Sequence, residues 1–268
     1  MLQSVSRYNA KSSSSVEIMV IDSPNPASRK IEGSPLDAKY SSFVGVESVV
    51  HRHGLTPAEL MNYYNDNFNL KLKIHVVPAG DVFPEKDDPF AWIPPSPNIP
   101  TLSTCYAYSG QCLLEGTNIS EGRGTTRPFE IFGAPFINIQ DKQLLFKLNE
   151  HNKGEFTLRP LIFIPTFHKY SGQKCAGFHL MIRERKKFHN LLFSLHFIRT
   201  IRDWYMNSFE FSKGVYEFRS DKTAIELLAG DDTILDFLNG KIEYKALREY
   251  LKQTESEWKS KISDYYLY

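Results

Sequence analysis

Apolar and polar positions along the first third of the chain switch between strand-like and helix-like periods. Val16–Ile21 (VEIMVI) is a short apolar run ending at Asp22 and the turn residues Ser23-Pro24-Asn25-Pro26, the pattern of a buried strand. Ser42–Val50 reads as a second extended segment. Thr56 then stands as a helix N-cap, with Pro57 in the first helical position and Glu59 closing a capping box. Leu60, Met61, Tyr64 and Phe68 follow at helical spacing, and Leu70–Val77 reads as another strand. Strand, helix and strand in this order predict an α/β domain with a partly parallel sheet.

The regime changes between Pro78 and Pro100, where Pro84, Pro89, Pro94, Pro95, Pro97 and Pro100 accompany Phe90 and Trp92. Aromatics among repeated prolines favour an ordered, packed loop over a free linker. Thr101–Ser109 predicts a short helix. Asp141–Asn152 has helical character, and Phe156–Pro165 and Cys175–Ile182 read as strands. Phe188–Tyr205 places Leu191, Leu192, Leu195, Ile198 and Ile201 on one apolar helical face. Tyr244–Tyr268 aligns Leu247, Leu251, Trp258, Ile262 and Tyr265 along one long terminal helix. No internal repeat is visible. The expected architecture is α/β followed by α+β, divided into residues 1–110 and 111–268.

One segment departs from these patterns. Cys112–Pro135, CLLEGTNISEGRGTTRPFEIFGAP, sets Glu115, Glu121, Glu130, Arg123 and Arg127 among glycines, threonines and Asn118. So much charge around so little side-chain bulk reads as a polar ligand site. Gly116, Gly122 and Gly124 permit close backbone approach or positive φ, while the carboxylates and guanidiniums supply proton-transfer and forked hydrogen-bonding groups.

Composition narrows the partners. The 268 residues carry 32 basic and 31 acidic side chains without a like-charged block, which argues against a nucleic-acid partner. Aromatic residues make up 13% of the chain, enough both to fill a core and to stack on sugar faces. Cys105, Cys112 and Cys175 form an odd set without CxxC spacing, so buried free thiols are the default, with one Cys105–Cys112 or Cys112–Cys175 bridge left open. The first residues lack the apolar run of a signal peptide, and no segment approaches the length of a membrane span. No His/Asp/Glu group has metal-ligand spacing, so neither a metal nor a cofactor is implied.

The ordered motifs IDSPNP, IEGSPLD, SFVGV, HRHGLTPAEL, PPSPNIPTLSTCYAYSGQCLLEGTNISEGRGTTRPFEIFGAPF and FIPTFHKYSGQKCAGFHL closely resemble the exo-β-N-acetylmuramidase family of bacterial peptidoglycan hexosaminidases. The resemblance runs from about Val16 to the C-terminal Tyr-Leu-Tyr. It implies an incomplete Rossmann-like domain followed by a smaller α+β domain, with the active site in the cleft between them. It also implies release of N-acetylmuramic acid from the non-reducing ends of peptidoglycan fragments, in a periplasmic or secreted setting for which this chain shows no signal. Family members usually carry about 100 further residues, the size of a small domain, before the strand at Val16–Ile21, including a Pro-Glu-His-Gly motif absent here. Expected partners are therefore the glycan and either a separate N-terminal half or a second copy. The alternative reading is a noncatalytic amino-sugar-binding remnant; another acetylated-hexosamine glycosidase is a third.

Glycoside cleavage commonly needs two carboxyl groups flanking the bond, although a substrate's acetamido group can replace the nucleophile. Glu115, following the apolar pair Leu113-Leu114, suits an acid if partly buried, and Glu121, close to Arg123, suits the ionised partner. Either glutamate would alternatively hold an arginine in place. Arg123 and Arg127 fit the lactyl carboxylate of N-acetylmuramic acid. Asn118 and Thr125 suit sugar hydroxyls or the N-acetyl group, unless they only form turns. Asp22 and Asn25 sit where open α/β sheets place ligands, or cap the turn they occupy. His53, Asn98 and Thr166 lie in matching motifs and complete the candidate binding set. Glu130 is the structural glutamate, poised to pair with Arg127.

Overall fold

The computed structural model of the protein describes residues 1–46, 48–78 and 93–268. The expectations at Pro84, Pro89, Phe90 and Trp92 lie outside these residues. After helix α1 (Leu2–Asn9), strand β1 (Ile18–Ile21) pairs in parallel with β4 (Ile74–Val77), Ile18 opposite Ile74 and Ile21 opposite Val77. Between them lie the antiparallel pair β2 (Glu32–Pro35) and β3 (Val50–Arg52), then helix α2 (Pro57–Asn67). Among the described residues, the first half is thus a mixed α/β assembly with two small sheets.

Helix α2 starts where the capping box requires: Thr56 Oγ1 accepts from the Glu59 amide at 3.3 Å, and Glu59 Oε2 accepts from the Thr56 amide at 2.9 Å. Asp22 adds a cap from the end of β1, its Oδ1 accepting from the Ala58 amide at 2.9 Å. The helix buries Ala58, Glu59 and Tyr63, whereas the Leu60, Met61, Tyr64 and Phe68 stripe stays partly exposed. Among the described residues of 42–50, only Val50 belongs to a strand. Ser42 and Gly45 close a tight turn, Ser48 adopts a φ of 69°, and the extended segment begins only at Val50. Phe43, Val44 and Val46 are exposed apolar residues facing a cavity, which explains an apolar run that is not paired in a sheet.

The second half begins with α3 (Leu102–Gln111), whose N-cap Thr101 Oγ1 accepts from the Thr104 amide. Strand β5 (Ile131–Ala134), helix α4 (Lys142–Leu148) and strands β6 (Phe156–Phe163) and β7 (Cys175–Ile182) follow, and the antiparallel sheet runs β5-β7-β6. Helix α5 (Asn190–Trp204) covers this sheet with the expected Leu191, Leu195, Ile198 and Ile201, all fully buried. Phe132 of β5 meets Phe197 of α5 edge-on, with ring centroids 4.8 Å apart. Helices α6 (Ala224–Ala229), α7 (Asp232–Leu238) and α8 (Tyr244–Lys261) complete the chain.

Helix α8 joins the two halves. Leu247 and Leu251 belong to the main core, but Trp258 and Ile262 pack with Val50, Leu55 and Tyr63 in a second one. Trp258 Nε1 also donates to the His53 carbonyl at 3.0 Å. The helix stops at Lys261, before a short 3-10 turn, rather than continuing to Tyr268. All three cysteines are free. Among the described residues, no helix is long and apolar enough to cross a membrane.

Candidate functional site

The segment between α3 and β5 is shaped by two glycines. Gly122 has φ +77°, and a Cβ there would lie 2.0 Å from the Ile131 carbonyl oxygen. Gly124 has φ +80°, with the Phe167 amide nitrogen 2.6 Å from where a Cβ would sit. Any side chain at either position would collide with backbone, so both are required by contact as well as by conformation. Thr166 seals the second contact, its amide and hydroxyl both donating to the Gly124 carbonyl, at 3.0 and 2.9 Å.

Glu121 is fully buried. Its carboxylate meets Arg123 Nε at 3.2 Å, His168 Nδ1 at 2.9 Å and Lys169 Nζ at 3.1 Å. These contacts lack strict hydrogen-bond angles, so those to Arg123 and Lys169 are chiefly Coulombic. Lys169 also donates to the carbonyls of Leu114 at 2.8 Å and Ile119 at 3.1 Å, which fixes the bend between them. Burial lowers the Lys169 pKa, against the opposing pull of Glu121. The pair is a buried anchor.

Glu115 is placed differently, at the wall of a cavity of about 530 Å³ that it shares with Arg123 and Tyr216. Arg123 Nη2 donates to Glu115 Oε1 at 2.6 Å, and the Tyr216 hydroxyl donates to Oε2 at 2.9 Å. Arg123 lies over the Phe129 ring, 5.1 Å from its centroid. Burial acts to lower the Arg123 pKa, but the bond to Glu115 and the charges of Glu115 and Glu121 together outweigh it and the net shift is upward. Burial and the charge of Glu115 together push the Tyr216 phenol up, so it stays a proton donor.

The opposite wall comes from the first half of the chain. Phe43, Val44, His53, Leu60 and Tyr64 face Tyr108 and Cys112 of the α3 end. Burial brings the His53 pKa down to about 4, and burial pushes the Cys112 thiol up to about 12. The neighbouring Cys112 and burial raise the Tyr108 phenol. A rim runs between the walls: Phe218 meets Phe43 edge-on at 6.0 Å, and Arg219 Nη1 donates to the Ser41 carbonyl at 2.6 Å.

The cavity takes in only part of the candidate set. Glu115, Arg123 and His53 line it; Glu121 does not. Asp22 is buried, with one oxygen capping α2 and Oδ2 without a hydrogen-bond partner. Asn25 bonds the Leu55 carbonyl and the Ala27 amide, holding its own turn. Asn98 ends a turn in which its amide donates to Ser96 Oγ. Asn118 uses both side-chain ends on Ser208 and Glu210 at 2.8 and 3.0 Å, docking the 208–212 segment. Thr125 closes a turn onto the Gly122 carbonyl. Arg127 is 48% exposed, pairs with Glu130 at 3.4 Å and borders a separate hollow with His179. For Asn25, Asn118, Thr125 and Thr166, the side-chain bonds go to the protein's own backbone: Thr125 and one bond of Asn25 close local turns, while Asn118 and Thr166 tie segments distant in the chain.

Sequence reasoning did not pick out Tyr108, His168, Lys169, Tyr216 or Glu217, the last also on the cavity wall. His168 and Lys169 stand inside the motif that carried Thr166, just beyond that residue. Tyr216 lies in no motif and reaches Glu115 only through the fold. Among the described residues, one group of three could hold a metal, and it lies outside this cavity.

Comparison with known proteins identifies relatives. The family model described as "Exo-beta-N-acetylmuramidase NamZ, C-terminal" matches residues 106–268, and its N-terminal counterpart matches 4–103. The peptidoglycan beta-N-acetylmuramidase NamZ of Bacillus subtilis (strain 168) is 40% identical over 200 residues, or 73% of this chain. The chain spans about half, 48%, of that relative's length. Two crystal structures of DUF1343 family proteins from Bacteroides fragilis share the fold. One has TM-score 0.81 and 23% identity, the other 0.70 and 27%, each covering all of this chain and 68% or 69% of its own.

Proposed function

The chain belongs to the exo-β-N-acetylmuramidase NamZ family, and from that premise we propose that it is a glycosidase releasing N-acetylmuramic acid from the non-reducing ends of peptidoglycan fragments. The observation carrying this reading is the Glu115–Arg123–Tyr216 group on the wall of an aromatic-lined cavity. Its volume, about 530 Å³, falls within the ~300–1,000 Å³ typical of small-molecule sites.

Each residue has a role by its position. Glu115 is the catalytic carboxylate, because it reaches the cavity while Tyr216 and Arg123 fix its two oxygens. Glu217 is the second carboxylate on that wall, available to a two-carboxylate route; an acetamido-assisted route would use Glu115 alone. Glu121, enclosed by Arg123, Lys169 and His168, holds the loop rather than acting on substrate. Arg123 reads the lactyl carboxylate, the group that distinguishes N-acetylmuramic acid from N-acetylglucosamine, and Tyr216 retains Glu115 when Arg123 engages it. Arg127 is discounted as a reader because it lies on another hollow. The parallel β1–β4 pair supports a Rossmann-like first domain ending near residue 110, with Asp22 at its carboxyl edge.

The test is incubation of the purified chain with a chromogenic β-N-acetylmuraminide and with the matching N-acetylglucosaminide. Selective release from the muraminide supports the glycosidase, and its loss in Glu115→Gln supports the assignment. Binding of the sugar without turnover would favour the noncatalytic remnant instead. Neither binding nor turnover would exclude both readings.

A further inference from the structure

We propose that Glu150, His151 and His196 form a binding site for a single divalent transition-metal ion of the zinc class. Each offers one ligand atom, and the three atoms lie within 4.8 Å of one another. The group joins the turn after α4 to the middle of α5, so sequence spacing alone does not display it. None of the three lines the Glu115 cavity.

Both imidazoles are held ready. His196 is buried, and its Nε2 lies 2.9 Å from the Lys147 carbonyl. A carbonyl can only accept, so Nε2 carries the proton and Nδ1 keeps the lone pair. This is the outer hydrogen bond that commonly orients a metal-ligating histidine. His151 is stacked on Tyr244, with ring centroids 3.6 Å apart and planes 11° apart, which fixes its orientation.

Glu150 is the adjustable ligand. Its side chain is 39% exposed and ion-paired with Lys147 at 2.6 Å. Zinc–ligand bonds of about 2.0–2.2 Å require tetrahedral donors to stand roughly 3.3 Å apart. Rotation of the exposed carboxylate supplies that contraction, releasing Lys147. Lys147 and Arg248, whose charges both bear on His151, oppose the ion and limit its affinity. Two imidazoles and one carboxylate favour zinc, nickel or copper over magnesium or calcium, which demand more oxygen ligands. Three protein ligands leave one position for water. Bound there, the ion would clip the end of α4 to α5 and raise the thermal stability of the folded chain.

Calorimetric titration of the untagged, chelator-treated chain with zinc chloride tests the site, alongside melting curves. The expected result is one equivalent bound and a higher Tm, with no saturable response to magnesium chloride. Because the chain has eight histidines, variants must locate the ion. His151→Ala should abolish binding and Glu150→Gln should weaken it at least tenfold. Lys147→Met should tighten it, since it removes the competing ammonium. These three are partly exposed positions, so the test does not depend on disturbing buried His196. Failure to bind zinc, or equal affinity in His151→Ala and Glu150→Gln, overturns the proposal.

Discussion

The Tyr216 hydroxyl donates to Glu115 Oε2 at 2.9 Å across 101 residues of sequence. That bond connects the 208–219 segment to the charged glycine-containing loop, and it lies on the wall of the cavity of about 530 Å³ lined by both halves. Asn118 docks the same segment from the other side through Ser208 and Glu210. The carboxylate assigned to catalysis is therefore positioned by a residue far away in the chain.

Tyr216→Phe removes this donor and little else. Net stability should fall by only about 0.5–1.5 kcal/mol, the usual worth of such a bond. Turnover of the muraminide should fall ten- to a hundredfold, mainly in kcat, because Glu115 loses its fixed orientation. Urea melts and steady-state kinetics on one preparation separate the two effects. Unchanged kcat would remove Tyr216 from the site.

Lys169 and Glu121 should behave as a structural pair. Lys169→Met or Glu121→Gln leaves a buried group short of its partner and should cost about 3–5 kcal/mol. The double variant should lose clearly less than the sum, because the unpaired charge is then gone. Strict additivity in denaturant melts would mean that the two residues act independently.

His53 predicts a pH dependence. Its folded pKa, about 4, lies below the unfolded value near 6.5, so the unfolded chain binds the extra proton first. This contribution is fully present above pH 6.5 and is lost as the pH falls through 4. Its size is on the order of 1–3 kcal/mol. Stability followed between pH 7 and 4 should decline less steeply in His53→Gln than in the parent. An identical slope would show that His53 does not titrate in this range.

Much of the fold was legible in local signals. Thr56, Pro57 and Glu59 mark the start of α2, and the spacing of Leu191, Leu195, Ile198 and Ile201 marks the buried face of α5, because these features depend on neighbours in sequence. β2 was not legible: Glu-Gly-Ser-Pro has no strand pattern and is held by pairing with β3. Phe43, Val44 and Val46 misled because their apolar side chains line a cavity instead of a sheet face. In the candidate site, Glu115 and Arg123 stood out by composition. Which glutamate would reach the cavity depended on Lys169, His168 and Tyr216, partners supplied by distant loops.

Selectivity between two sugars tests the central claim most directly. The ratio of kcat/KM for chromogenic β-N-acetylmuraminide over β-N-acetylglucosaminide should be measured for the parent chain, Arg123→Lys and Arg127→Lys. The cavity assigned here predicts a high ratio in the parent and in Arg127→Lys, and a ratio at least tenfold lower in Arg123→Lys. An undiminished ratio in Arg123→Lys would contradict it.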